Sequence, residues 1–158
     1  MPRSLIALTV LAVALVIAPL KAEPALADDR AAVIDTVERF FAAMQARDRA
    51  VLESLVLPEG RGIALREGAS GTPEARSLQA LIDGLLEGEA AILERMWQPQ
   101  IRIERLGEAG IAMLWAPYDF WIDGARHHCG IDAFQLLKTG GKWRIAGVVW
   151  TSQETNCP

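Results

Sequence analysis

Residues 115–137 read WAPYDFWIDGARHHCGIDAFQLL and bring together five aromatic side chains, three aspartates, two histidines and a cysteine. An imidazole beside a carboxylate is the raw material of general acid–base catalysis. Histidine titrates near neutral pH, and a carboxylate fixes its tautomer and orientation. A thiol beside an imidazole is the raw material of nucleophilic catalysis. Whether these groups can meet depends on strand geometry. Asp123-Gly124 between two alternating runs is a hairpin signal. A turn centred there sets Asp119 opposite His128, with Cβ atoms about 5 Å apart. Asp119 and His128 therefore form the first candidate acid–base pair. A bulge between the turn and Pro117 would place Tyr118 there instead. Asp132, a third candidate, shares a face with His128 but lies about 13 Å further along the strand. The alternative role for Asp119 and His128 is a hydrogen-bonded pair on the outer face of the sheet.

His127 and His128 are neighbours in a strand and are expected to point to opposite faces, which disfavours a shared metal ion. No second cluster at ligand spacing accompanies them. The chain has no G-x-S-x-G, no phosphate-binding Gly-rich loop and no H-E-x-x-H. Neither a metal nor a cofactor is expected. The aromatics along the same strands read as core and as the wall of an apolar pocket. Trp115, Tyr118, Phe120, Phe134 and Trp150, together with His128, are the candidate ligand contacts.

These strands need elements to position them. Val33, Ile34, Val37, Phe40, Phe41 and Met44 recur at helical spacing and predict a helix over residues 28–46. The acidic pair Asp28-Asp29 is expected at its N-terminus. Asp48 is expected to cap a short helix over residues 48–55. Residues 62–66 form a candidate strand. Thr72-Pro73-Glu74 predicts the start of a third helix, whose apolar stripe is Leu78, Leu81, Ile82 and Leu85. Thereafter the period moves towards two. Strands are predicted over residues 92–97, 101–106, 111–121, 127–137 and 143–151, with Pro117 marking a bulge or an edge. Helices followed by an antiparallel sheet is an α+β pattern.

The first residues are a different matter. Arg3, an apolar run over residues 5–20 and Ala25-Leu26-Ala27 are laid out as a secretory signal peptide. The apolar run is shorter than the roughly 17–25 residues that span a bilayer. Cleavage is expected after Ala27, with Ala22 as the weaker site. Residues 28–158 would then form one exported domain, periplasmic or secreted, with no membrane attachment after processing. The formal charge of −4, without a basic cluster, argues against nucleic acid as a partner. Two cysteines in an exported chain suggest one disulfide, Cys129–Cys157, which requires the C-terminal tail to fold back across the strand carrying His128.

Several features together resemble the nuclear transport factor 2-like (NTF2-like) superfamily. Trp115, Tyr118 and Phe120 precede the Asp123-Gly124 turn. His128-Cys129-Gly130, Phe134-Gln135-Leu136, and Trp143 with Ile145 follow it. The resemblance implies a curved antiparallel sheet wrapped as a cone around N-terminal helices, with a pocket inside. It also implies a homodimer through the outer sheet face, which suits strands that are apolar on both sides (Ile111, Met113 and Trp115 against Ala112 and Leu114). The superfamily contains isomerases, dehydratases, binding proteins and transport factors, so the fold does not choose among them. The first functional expectation is a small, largely apolar ligand held in the cone. The second is an enzyme using Asp119, His128, Asp132 or Tyr118. The third is a dimeric interaction module without a ligand.

Overall fold

A computed structural model describes residues 24–67 and 72–157. Helix α1 (Pro24–Ala46) leads into α2 (Arg49–Leu55), β1 (Val56–Arg66), β2 (Glu74–Ser77) and α3 (Leu78–Glu87). Five strands complete the chain: β3 (Ile92–Met96), β4 (Gln100–Leu106), β5 (Ala109–Ile122), β6 (Ala125–Thr139) and β7 (Lys142–Ser152). The expected leader lies, up to residue 23, outside the described residues. Among those described, no helix is long and apolar enough to cross a membrane.

The sheet runs β2-β1-β7-β6-β5-β3, with β4 also paired to β5. The β1–β7 ladder is parallel and the rest are antiparallel, so the expected antiparallel sheet is mixed. The parallel pair follows from chain order, because β1 precedes α3 and returns beside the last strand. The helices lie inside the curve of the sheet. Phe40 and Phe41 of α1 meet Phe134 of β6 edge-on, with ring centroids 6.5 and 5.8 Å away. Val33, Val37, Leu52 and Ile82 pack into the same core as Leu114, Leu136 and Ile145. Such burial supplies most of the stabilisation, at about 25 cal/mol for each Å² of apolar surface removed from water.

Local chemistry explains the boundaries. Asp48 caps α2 by accepting from the Val51 N–H at 3.1 Å. The third helix does not start at Thr72. Residues 74–77 extend and pair with β1, and Ser77 caps α3 by accepting from Ala80 N–H at 3.1 Å. The apolar stripe begins only at Leu78, so residues 74–76 gain nothing by being helical there. Helix α1 starts at Pro24, which moves Asp28 and Asp29 beyond its first turn. Asp29 is instead buried and makes tertiary bonds. Lys138 Nζ lies 2.6 Å from its Oδ1, Trp143 Nε1 donates to the same oxygen at 3.1 Å, and Arg105 stands 3.4 Å from Oδ2.

Pro117 sits inside β5, yet its missing N–H leaves no gap in the sheet. It lies opposite the junction where β3 ends and β4 begins, and its carbonyl accepts from Trp97 N–H at 3.2 Å. The Asp123-Gly124 turn has φ of 49° and 78°, the left-handed pair that a tight hairpin requires. Beyond β7 the tail folds back. Gln153 bridges Cys129 through two backbone bonds of 3.0 and 2.9 Å, and Cys129 and Cys157 form a disulfide with Cα atoms 5.7 Å apart. The bridge takes both cysteines out of nucleophilic chemistry.

Candidate functional site

Even-numbered residues of β5 up to Phe120 face the helices and odd-numbered ones face away. Ala112, Leu114, Ala116 and Tyr118 are buried, whereas Ile111, Met113 and Trp115 are exposed. This parity sorts the candidates. Tyr118, Phe120, His128, Asp132, Phe134 and Trp150 line a cavity of about 390 Å³ between sheet and helices. Trp115 does not; it belongs to the outer face.

Asp119 does not meet His128. The register shifts between Phe120 and Trp121, so Phe120 stands opposite His128 and Asp119 opposite Cys129. The displaced residue is His127, left without a partner between Arg126 and His128. A bulge of this kind re-aims side chains. It turns the two imidazoles towards each other, with Nδ1 atoms 2.9 Å apart, and both reach the cavity. The expectation that they face apart fails for this reason. Asp119 pairs with Arg95 directly across β3, through bonds of 3.0 and 2.7 Å. Burial alone would raise the Asp119 carboxyl, but the Arg95 bonds and charge hold it below its usual value. Asp119 is thus the ion-paired residue of the outer face.

The group that sequence reasoning missed is Glu94. It lies on β3 opposite Phe120 and faces the cavity, where its carboxyl hydrogen-bonds that of Asp132. Asp132 is 3% exposed and its Oδ2 has no protein partner. Burial raises both carboxyls. The charge of Glu94 and its hydrogen bond raise Asp132 further, whereas the bond from Asp132 lowers Glu94 and the charge of Asp119 raises it. Glu94 moves to about 7, and Asp132 stands well above its usual range because it donates the shared proton. The alternation Ile92, Glu94, Met96 is the only sequence signal for Glu94, and nothing local names its partner.

His128 stacks on Phe120 at 4.8 Å between centroids and meets Tyr118 edge-on. Burial, with the neighbouring His127 and Arg66, lowers it to about 4, so it is neutral at neutral pH. The Tyr118 hydroxyl donates to the Thr151 carbonyl at 2.8 Å and is raised by burial and by the nearby carboxyls. Its proton is already committed, which makes Tyr118 a wall of the pocket. Gly130 permits this anchor, because a Cβ there would lie 2.0 Å from the Thr151 oxygen. Among the described residues no group of three or more His, Cys, Asp or Glu is placed to hold a metal ion.

No family model matches the chain, and no curated protein matches it. Solved structures do. An NTF2-like protein of unknown function from Silicibacter pomeroyi superposes with a TM-score of 0.58 at 22% identity, over 80% of this chain and 98% of that one. An NTF2-like protein from Cytophaga hutchinsonii gives 0.59 at 16% identity, over 78% and 97%. The fold is NTF2-like. A provisionally assigned beta subunit of an aromatic-ring-hydroxylating dioxygenase from Novosphingobium aromaticivorans shares this NTF2-like architecture, with a TM-score of 0.64 at 13% identity, over 82% and 92%. At these identities the likeness carries the fold and not the chemistry.

Proposed function

We propose that this exported NTF2-like domain binds a small, largely apolar molecule in its cone. The observation that carries this reading is the cavity itself: about 390 Å³, walled mainly by apolar side chains, with the Glu94–Asp132 pair as its convergent polar group. Ligand sites have this composition. The unpartnered Asp132 Oδ2 is a buried acceptor that a ligand hydroxyl or amine would satisfy.

Gly84 of α3 lines this cavity, and a Cβ added there meets nothing within 4 Å. A glycine inside a helix costs roughly 0.5–1 kcal/mol relative to alanine. Gly84→Phe is therefore expected to fold at least as stably as the wild type while filling the pocket. The neutral dye N-phenyl-naphthylamine should bind the wild type with enhanced fluorescence and lose about tenfold or more in affinity on Gly84→Phe. Equal binding to both proteins would remove the pocket from the account.

The second reading is acid–base chemistry, favoured by a carboxyl pair that holds a shared proton near neutral pH. Raised carboxyls bind more protons in the folded state, so their stabilisation is complete below their unfolded values and is lost as pH rises through the folded ones. His128 acts oppositely, but only below its unfolded value of 6.5. Above pH 6.5 His128 no longer contributes, and unfolding free energy should fall as pH rises through Glu94's folded value of about 7, by at most about 1.4 kcal/mol per pH unit for its proton, and level off beyond it. Urea titrations at several pH values check this. The Glu94→Gln/Asp132→Asn double variant should be flat, and a flat wild type would mean that the pair holds no proton for catalysis.

The outer sheet face supports a homodimer. Trp115, Ala133, Val149 and Ile63 stand side by side across β5, β6, β7 and β1, with Met113 in the row beside them. Trp115 is 53% exposed, Val149 42% and Met113 42%, a contiguous apolar surface rather than scattered residues. Light scattering at micromolar concentration should give twice the chain mass, and Trp115→Glu should give a monomer. A wild-type monomer would end this proposal.

A further inference from the structure

Two arginines stand at the cavity on strands that otherwise contribute little to it. Arg66 ends β1 and Arg76 lies on β2, and both line the pocket. Ala64 pairs with Glu74 and Gly62 with Arg76, so the Arg66, Glu74 and Arg76 side chains share one face. Gly62 has no side chain to separate them, and a Cβ there would lie 2.2 Å from Leu81 and 3.1 Å from Trp150. The same group lines a smaller adjoining cavity of about 70 Å³ with Leu81 and Trp150.

The charge of this group is only partly neutralised. Arg66 Nε is 3.7 Å from Glu74 Oε2, a loose and half-exposed pair. Arg76 has no ion-pair partner among the described residues. The connection over residues 67–73 carries one acid, Glu67, which is exposed and follows Arg66 directly. The cavity lining therefore carries two polar groups. One is the Glu94–Asp132 carboxyl pair, and the other is the two guanidinium groups of Arg66 and Arg76, with Glu74 loosely paired to Arg66.

We infer that the ligand of this pocket is an apolar molecule bearing one anionic group, a carboxylate, sulfonate or phosphate ester, held by Arg66 and Arg76. The inference rests on the pocket reading above and narrows its ligand class. Guanidinium groups suit this work because their forked donors match the oxygens of an anion. Arg66 also acts electrostatically on both His128 and Tyr118, which puts its charge within reach of the pocket interior. The proton shared by the carboxyl pair removes part of the repulsion that an anion would otherwise meet.

A matched pair of probes tests this. N-phenyl-naphthylamine and anilinonaphthalene sulfonate share one ring system and differ by the sulfonate. Fluorescence titration should show the sulfonate binding the wild type about tenfold more tightly. Molar salt should erase most of that difference. Arg66→Gln/Arg76→Gln should bring the sulfonate down to the affinity of the neutral dye, whose own binding stays unchanged. Gly84→Phe should weaken both. If the neutral dye binds but the sulfonate has no advantage, or keeps its advantage in the double variant, this inference fails while the pocket reading stands. A wild type that binds neither dye overturns both. The salt dependence of the wild type decides the matter even if the double variant does not fold.

Discussion

Asp29→Ala is expected to lower the unfolding free energy by roughly 3–5 kcal/mol, the cost of stranding a buried charge. Asp29 is 3% exposed and accepts from both Lys138 and Trp143, with Arg105 close by. These partners come from β6, β7 and just before the β4–β5 turn, so one carboxylate ties α1 to three parts of the sheet. Burial alone would raise the Asp29 carboxyl, but the Lys138 and Trp143 bonds and the two cationic charges lower it below its usual value of 3.8. The sign follows: its contribution is present above the unfolded pKa and is lost as pH falls through the folded one. Urea unfolding at neutral pH should show the full loss. Asp29→Ala/Lys138→Met, which removes the stranded ammonium as well, should recover part of it. A loss below about 1 kcal/mol for the single variant would mark the network as peripheral.

Cys157→Ser should cost about 3–4 kcal/mol by loop entropy, given the sequence separation of 28. The effect should reach the pocket. Without the bridge, the Gln153–Cys129 pairing is left as two backbone bonds just beyond β7. That pairing adjoins Thr151, whose carbonyl anchors Tyr118. Reduced wild type and Cys157→Ser should therefore match each other in stability and in amide exchange at Thr151 and Ser152. A reductant that leaves the unfolding midpoint unmoved would contradict this account.

Periodicity carried much of this fold. The apolar stripes of α1 and α3, the Asp48 cap and the Asp123-Gly124 hairpin are local patterns, and local patterns are what a sequence states openly. Strand β1 was only partly legible, because Pro58, Gly60 and Gly62 look like breakers. They fall where the β1–β7 register is irregular or where side chains from α3 and β7 need the space. The site was less legible than the fold. Asp132 was a candidate, but its partner Glu94 lies on another strand with β5 between them in the sheet, and only curvature joins their carboxyls. Asp119 and His128 were separated by one bulged residue, and hydrophobic alternation does not reveal a bulge of that kind. Arg66 and Arg76 flank a loop and carry no pattern that marks them as ligand contacts.

The parallel pairing of β1 with β7 also sets the order in which the molecule can assemble. Arg61 lies opposite Gly147, so a strand at the middle of the sheet is supplied by β7, which is synthesised long after β1. Until then β1 can bond only to β2, a strand of four residues. Contacts between distant parts of a chain slow folding, because the loop must close before any of them forms. A nascent chain ending before Lys142 should accordingly remain protease-sensitive throughout, α1 included. Pulse proteolysis of ribosome-bound chains of increasing length should show protection arising in one step, once residues 142–152 have emerged.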